Sequence, residues 1–133
     1  MNQQIEDEVR RLAFNRCEYC HLPDRALGLP HVLDHIIARQ HGGQTVISNL
    51  ALCCGRCNLF KGPNIASLDP DTGALVPLFH PRRDQWNEHF YWVGPRLMAK
   101  TAVGRATIAV LSINLEGRVL ARQAMIQEGR LLS

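Results

Sequence analysis

Two short stretches decide the fold: Cys17-Glu18-Tyr19-Cys20 and Cys53-Cys54-Gly55-Arg56-Cys57-Asn58. Each contains a C-x-x-C pair, and the chain has five cysteines in all. Outside an oxidising compartment, such pairs favour metal binding over disulfides. Two pairs supply four thiolates at the spacing that a tetrahedral zinc site uses. We therefore predict a structural Zn²⁺ ion bound by Cys17, Cys20, Cys54 and Cys57, which joins two segments that are distant in sequence.

Alternatives remain open for these cysteines. The thiols could be buried small hydrophobic groups or could form disulfides. Cys53 could also replace Cys54 as the fourth ligand, although a buried thiol on a strand is the simpler expectation for Cys53.

The sequence between the two pairs predicts a hairpin followed by a helix. Residues 21–30 contain two prolines and a glycine and predict a connecting loop. Residues 31–37 and 46–52 are rich in β-branched and aliphatic side chains and predict two antiparallel strands. A short helix is expected at 55–61, where the following Gly-Pro dipeptide ends it.

Regular structure is also predicted on both sides of this segment. Ile5, Val9, Leu12 and Ala13 recur at helical spacing, which predicts an amphipathic N-terminal helix. Beyond the hairpin we expect a surface excursion over 64–81, a strand over 89–93, and helices near 103–113 and 117–128. The predicted fold is α+β: a single domain, 1–133, with a core over 1–63 and a C-terminal extension over 64–133 packed on it.

Composition limits the class of protein but does not decide its function. A chain of 133 residues that is 46% hydrophobic is long enough for one compact domain. Its apolar runs are too short to cross a membrane, and its N-terminus lacks a signal-peptide pattern, so we expect a cytoplasmic protein. The net charge of +3 is compatible with a nucleic-acid partner but is equally common in proteins without one.

Polar residues near the predicted zinc site indicate hydrolytic chemistry. The Asp34-His35 pair lies between the cysteine pairs, and Asn58 directly follows the last cysteine. Histidine changes charge close to neutral pH, so His35 can act as a general base. The side-chain oxygens of Asp34 and Asn58 are hard ligands suited to Mg²⁺ or Mn²⁺. Together these residues predict metal-dependent cleavage of a phosphodiester.

The same residues resemble the zinc-containing HNH endonucleases. The resemblance is carried by Cys17-x-x-Cys20, Leu33-Asp34-His35-Ile36-Ile37, His41-Gly42-Gly43, Ser48-Asn49-Leu50-Ala51-Leu52-Cys53-Cys54 and Cys57-Asn58-x-x-Lys61-Gly62. It implies a ββα-metal finger that hydrolyses DNA and leaves a 5′-phosphate and a 3′-hydroxyl.

The resemblance also implies a role for individual residues. His35 would be the general base, and Asn49 would be the central Asn that holds the loop and orients that histidine. Asp34 would be a ligand of the divalent cation. Asn58 stands where the second His of the family name occurs, which makes this an H-N-N variant. Lys61 would contact DNA phosphate.

Other functions stay open at this point. Arg39, Arg56, Arg82 and Arg83 could follow a nucleic-acid backbone or be ordinary solvated side chains, and His41 could contact phosphate or only solvent. The rival to a nuclease is a non-catalytic zinc module that binds nucleic acid or a protein, and a purely structural zinc domain is a third possibility. The nuclease alone requires a second divalent cation between Asp34 and Asn58.

Overall fold

The computed structural model describes residues 2–131, which form a mixed α+β protein with two compact units. Unit 1 comprises the residues up to Ile65 together with His80–Asp84, and unit 2 comprises Ala66–Phe79 and the residues from Gln85 onward. Across the described residues, no helix combines the length and the apolar character needed to cross a membrane. The prediction of one domain with a packed extension stays a prediction.

The helices and strands of both units are short. In chain order they are α1 (Gln3–Leu12), β1 (Val32–His35), β2 (Leu50–Cys53), α2 (Gly55–Lys61), β3 (Ala66–Leu68), β4 (Leu75–Pro77), α3 (Trp86–His89), β5 (Phe90–Val93), β6 (Arg96–Ala99), α4 (Ala102–Val110) and α5 (Glu116–Gln127).

Helix α1 confirms the predicted amphipathic N-terminal helix. The Asn2 side chain caps it by accepting a hydrogen bond from the Ile5 amide at 2.8 Å. Its apolar side buries Val9 completely, in a core shared with Leu50 and Leu52 of β2. The helix is therefore a packing element against β2.

Strands β1 and β2 form the predicted antiparallel hairpin, in which Asp34 pairs with Ala51 and His35 with Leu50. The prediction that the second strand begins at residue 46 is wrong. Residues 47–49 form a short 3₁₀ helix, and all four residues of β2 are buried whereas Val46 is 40% exposed. The β-branched side chains at the start of this segment face solvent and do not extend the strand.

Helix α2 spans Gly55–Lys61, as predicted. The Cys54 Sγ caps it by accepting from the Cys57 amide at 3.4 Å, so the second cysteine pair itself starts the helix. Gly62 then adopts a φ of +52°, which ends the helix before Pro63.

Unit 2 contains the predicted strand and both predicted C-terminal helices, as β5, α4 and α5. The predicted surface excursion instead contains the hairpin of β3 and β4, and β6, which pairs with β5, was not anticipated. The aromatic residues form a core as expected: the Phe90 ring lies 5.3 Å from that of Phe79 and 5.2 Å from that of Trp86.

Candidate active site and metal centre

The two cysteine pairs come together in unit 1. The Sγ atoms of Cys17, Cys20, Cys54 and Cys57 all lie within 4.8 Å of one another, and all four residues are buried. The Cys20 and Cys54 sulfurs are 3.7 Å apart. A tetrahedral ion with Zn–S bonds of about 2.3 Å separates its sulfurs by about 3.8 Å. The donor set and its dimensions therefore fit a structural zinc ion.

The remaining cysteine lies outside this cluster. Cys53 is fully buried on β2 and does not belong to the four-sulfur group, so Cys54 rather than Cys53 completes the set of thiols that could hold the ion. All five cysteines are free thiols, which excludes the disulfide alternative in this structure. Burial raises the pKa of the Cys17 thiol, whereas hydrogen bonds from Cys17 and its neighbours lower the pKa of the Cys54 thiol. Zinc binding must therefore displace protons from the cluster.

Asp34 projects from β1 into a buried polar site. Its side chain accepts a hydrogen bond from the Tyr19 hydroxyl at 2.9 Å and forms an ion pair with the Lys61 ammonium at 3.2 Å. Only 5% of Asp34 is exposed. Burial raises the pKa of its carboxyl group, and the charge of Lys61 opposes that rise.

Lys61 occupies an unexpected position. Its ammonium lies inside unit 1, where it also donates to the backbone oxygens of His35 at 3.3 Å and Ile36 at 3.1 Å. The residue is 1% exposed. The structure therefore does not place Lys61 where sequence analysis expected a phosphate contact, because the ammonium would have to leave these partners to reach the surface.

Asn58 and Arg56 are both exposed on α2. Asn58 precedes Lys61 by three residues, so the two side chains lie on one side of the helix. That side faces β1, since Lys61 reaches Asp34. Across residues 2–131, no protein hydrogen bond involves the side-chain amide of Asn58, so its Oδ1 is available to a ligand.

His35, the last residue of β1, is half-buried. Its Nε2 lies 2.9 Å from the Thr45 Oγ1, and no other group in the described part of the chain hydrogen-bonds its ring. Thr45 was not predicted from the sequence, because a threonine in a loop carries no signal that would connect it to a histidine ten residues away.

Asn49 holds the loop between β1 and β2. Its Oδ1 accepts from the Ile37 amide at 2.8 Å, and its Nδ2 donates to the backbone oxygens of Ile37 at 3.0 Å and Gln44 at 2.9 Å. Gly43 lies against the same backbone, where a Cβ would be 1.7 Å from the Ile37 oxygen. Asn49 thus ties Ile37 to Gln44 across the loop.

The arginines divide into two groups. Arg39, Arg56 and Arg83 are exposed. Arg82 instead forms a two-pronged ion pair with Glu18, whose Oε2 lies 2.8 Å from the Arg82 Nη2. Its guanidinium is therefore committed within unit 1 rather than presented to a nucleic-acid backbone.

Comparison with known families agrees with this geometry. Residues 17–64 match the family model described as HNH endonuclease. No curated protein and no solved structure matched the chain. The matched segment contains the four clustered cysteines, the hairpin with Asp34 and His35, and helix α2. Residues 17–64 are therefore similar to the HNH endonuclease domain.

Proposed function

We propose that this protein is a metal-dependent endonuclease that hydrolyses DNA phosphodiester bonds. The observation that carries the proposal is the hydrogen bonding of the His35 ring. One ring nitrogen is bound to Thr45, and the other has no protein partner among the described residues. An imidazole held in this way, within an HNH domain, can accept a proton from water.

In the proposed reaction, His35 acts as the general base through Nδ1. It takes a proton from a water molecule whose oxygen then forms a bond to phosphorus. The family resemblance implies a 5′-phosphate and a 3′-hydroxyl as products, so the bond that breaks joins phosphorus to the 3′ oxygen. The 3′ oxygen leaves with its strand, and solvent supplies its proton.

Asp34 and Asn58 would hold Mg²⁺ or Mn²⁺, whose charge offsets the negative charge on the phosphate and on the departing oxygen. Within residues 2–131, the Oδ1 of Asp34 accepts one hydrogen bond, from the Lys61 ammonium at 3.4 Å, and a carboxylate oxygen can accept more than one. The exposed amide oxygen of Asn58 is the second donor. Two protein ligands leave room for water and phosphate in the shell of a hard cation.

The proposal includes the H-N-N variant of the family motif. An amide oxygen at residue 58 is a harder ligand than the imidazole that the family name implies. This substitution favours Mg²⁺ or Mn²⁺ over softer transition metals at this site.

The proposed partner is DNA, and the proposed compartment is the cytoplasm. Arg56 is exposed on α2, two residues before Asn58, and is the candidate phosphate contact. We propose that Lys61 holds Asp34 in place rather than binding phosphate, because its ammonium is buried and paired with Asp34. Five free thiols suit a reducing compartment.

A second candidate function is a non-catalytic zinc module that binds nucleic acid or a protein. One observation favours it. The Asp34 carboxylate already accepts a hydrogen bond from the Tyr19 hydroxyl and pairs with the Lys61 ammonium, and a carboxylate with a purely structural role would have partners of the same kind. The two candidates differ in whether a second divalent cation binds.

The test is cleavage of supercoiled plasmid by the zinc-loaded full chain with Mg²⁺, Mn²⁺ or EDTA. We expect metal-dependent nicking that His35→Ala slows by about 10²- to 10⁴-fold, because the variant lacks the base but retains the thiolates. Asn58→Ala should weaken Mn²⁺ binding measured by calorimetry, whereas Asn64→Ala, an exposed asparagine outside the site, should not. Absence of cleavage and of Mn²⁺ binding in the wild type would instead favour the zinc module.

A further inference from the structure

We propose that Thr45 is a positioning residue that fixes the tautomer and orientation of the His35 ring. This inference rests on the proposed function, since it concerns the same base. It adds a residue that neither the family match nor the sequence pattern assigns.

The two nitrogens of the His35 ring have different roles. A neutral ring carries its proton on one nitrogen and a lone pair on the other, and the hydrogen bond made by the first selects which is which. The Nε2 of His35 lies 2.9 Å from the Thr45 Oγ1. If Nε2 carries the proton and donates it to the hydroxyl oxygen, the lone pair lies on Nδ1, which has no protein partner in the described part of the chain.

The hydroxyl can act in this way because the backbone beside it is held. Asn49 donates to the oxygen of Gln44, the residue directly before Thr45, at 2.9 Å, and binds both backbone groups of Ile37. The Thr45 side chain is half-buried. Asn49 therefore positions the loop, and Thr45 transmits that position to the ring of His35.

This arrangement gives the loop a function beyond connecting two strands. A histidine at the end of a four-residue strand can rotate about its side-chain bonds, and each rotation moves the lone pair away from the attacking water. One hydrogen bond to a held loop restricts that rotation. When the hydroxyl accepts from Nε2, the bond also holds the tautomer whose Nδ1 is free to accept a proton.

The test compares Thr45→Val, which keeps the side-chain shape without the hydroxyl, with Thr45→Ser, which keeps the hydroxyl. For plasmid nicking by the zinc-loaded full chain, we expect Thr45→Val to lower kcat by about 10- to 100-fold with little change in KM. Thr45→Ser should retain most of the activity. Ser48→Ala removes an exposed hydroxyl of the same loop and serves as the control.

A second measurement is independent of cleavage. Nitrogen-15 chemical shifts of the His35 ring, assigned with the help of His35→Gln, report which nitrogen carries the proton in the neutral form. We expect the proton on Nε2 in the wild type and in Thr45→Ser, and a mixture of tautomers in Thr45→Val. Zinc content and far-ultraviolet circular dichroism show whether each variant is folded.

The outcomes separate this proposal from the proposed function. A wild type that cleaves, together with a folded Thr45→Val variant that cleaves equally fast, overturns the role of Thr45 alone. So does a wild-type ring with its proton on Nδ1. A wild type that cleaves nothing with any metal overturns the nuclease, and the positioning role with it.

Discussion

Replacing Asn49 with alanine should destabilise unit 1 by an amount that its hydrogen bonds set. Asn49 is 8% exposed and makes three side-chain hydrogen bonds, to the Ile37 amide, the Ile37 oxygen and the Gln44 oxygen. At about 1 kcal/mol each, their loss would cost about 3 kcal/mol. Gln44 is exposed, so water can replace one bond. We expect a loss of about 2 kcal/mol, which is roughly a 30-fold change in the unfolding equilibrium.

The measurement is urea denaturation combined with amide hydrogen exchange at Ile37, whose amide donates to Asn49 in the wild type. Tryptophan fluorescence would not serve, because Trp86 and Trp92 both lie in unit 2. Asn64→Ala is the control, since that asparagine is exposed. A loss below about 0.5 kcal/mol, or unchanged exchange at Ile37, would refute the reasoning, because surface substitutions alone reach that size.

Two further substitutions test the loop and the zinc site. In the same denaturation assay, Gly43→Ala should lower the free energy of unfolding by about 3 kcal/mol, because the new Cβ would meet the Ile37 backbone. Gly55→Ala is the control and should be neutral, because no atom lies within 4 Å of its new Cβ. Cys57→Ser should lose the bound zinc and the structure of unit 1 in a zinc-content and circular-dichroism measurement, whereas Cys53→Ala should keep the zinc. A folded, zinc-free Cys57→Ser protein would contradict the structural role of the metal.

Features that depend on local spacing were predictable from the sequence. A C-x-x-C pair forms its own turn, so the two pairs identified all four members of the cluster without knowledge of the fold. Helix α2 was predicted with its observed bounds because one cysteine pair starts it and Gly62 ends it. Helix α1 was predicted from the helical spacing of its apolar residues, which include the buried Val9.

Features that depend on tertiary contacts were not predictable. Val46 and Ile47 have strand-forming side chains, but they are 40% and 36% exposed, and the backbone turns into a 3₁₀ helix that brings Asn49 against Ile37. A propensity for strand carries little weight where no face is buried. The partner of His35 was missed for a similar reason, since Thr45 reaches it only because the loop folds back.

The position of Asn58 follows from contacts that other residues of α2 make. At its start, Cys54 and Cys57 belong to the four-sulfur cluster. At its end, the buried Lys61 ammonium binds Asp34 and two backbone oxygens close to the end of β1. Asn58 lies between these two attachments, so the part of α2 that carries it is anchored on both sides through other residues. Lys61 therefore fixes the end of the helix through its buried ammonium. The sequence alone could not distinguish this role from a phosphate contact, because either role requires only a lysine at this position.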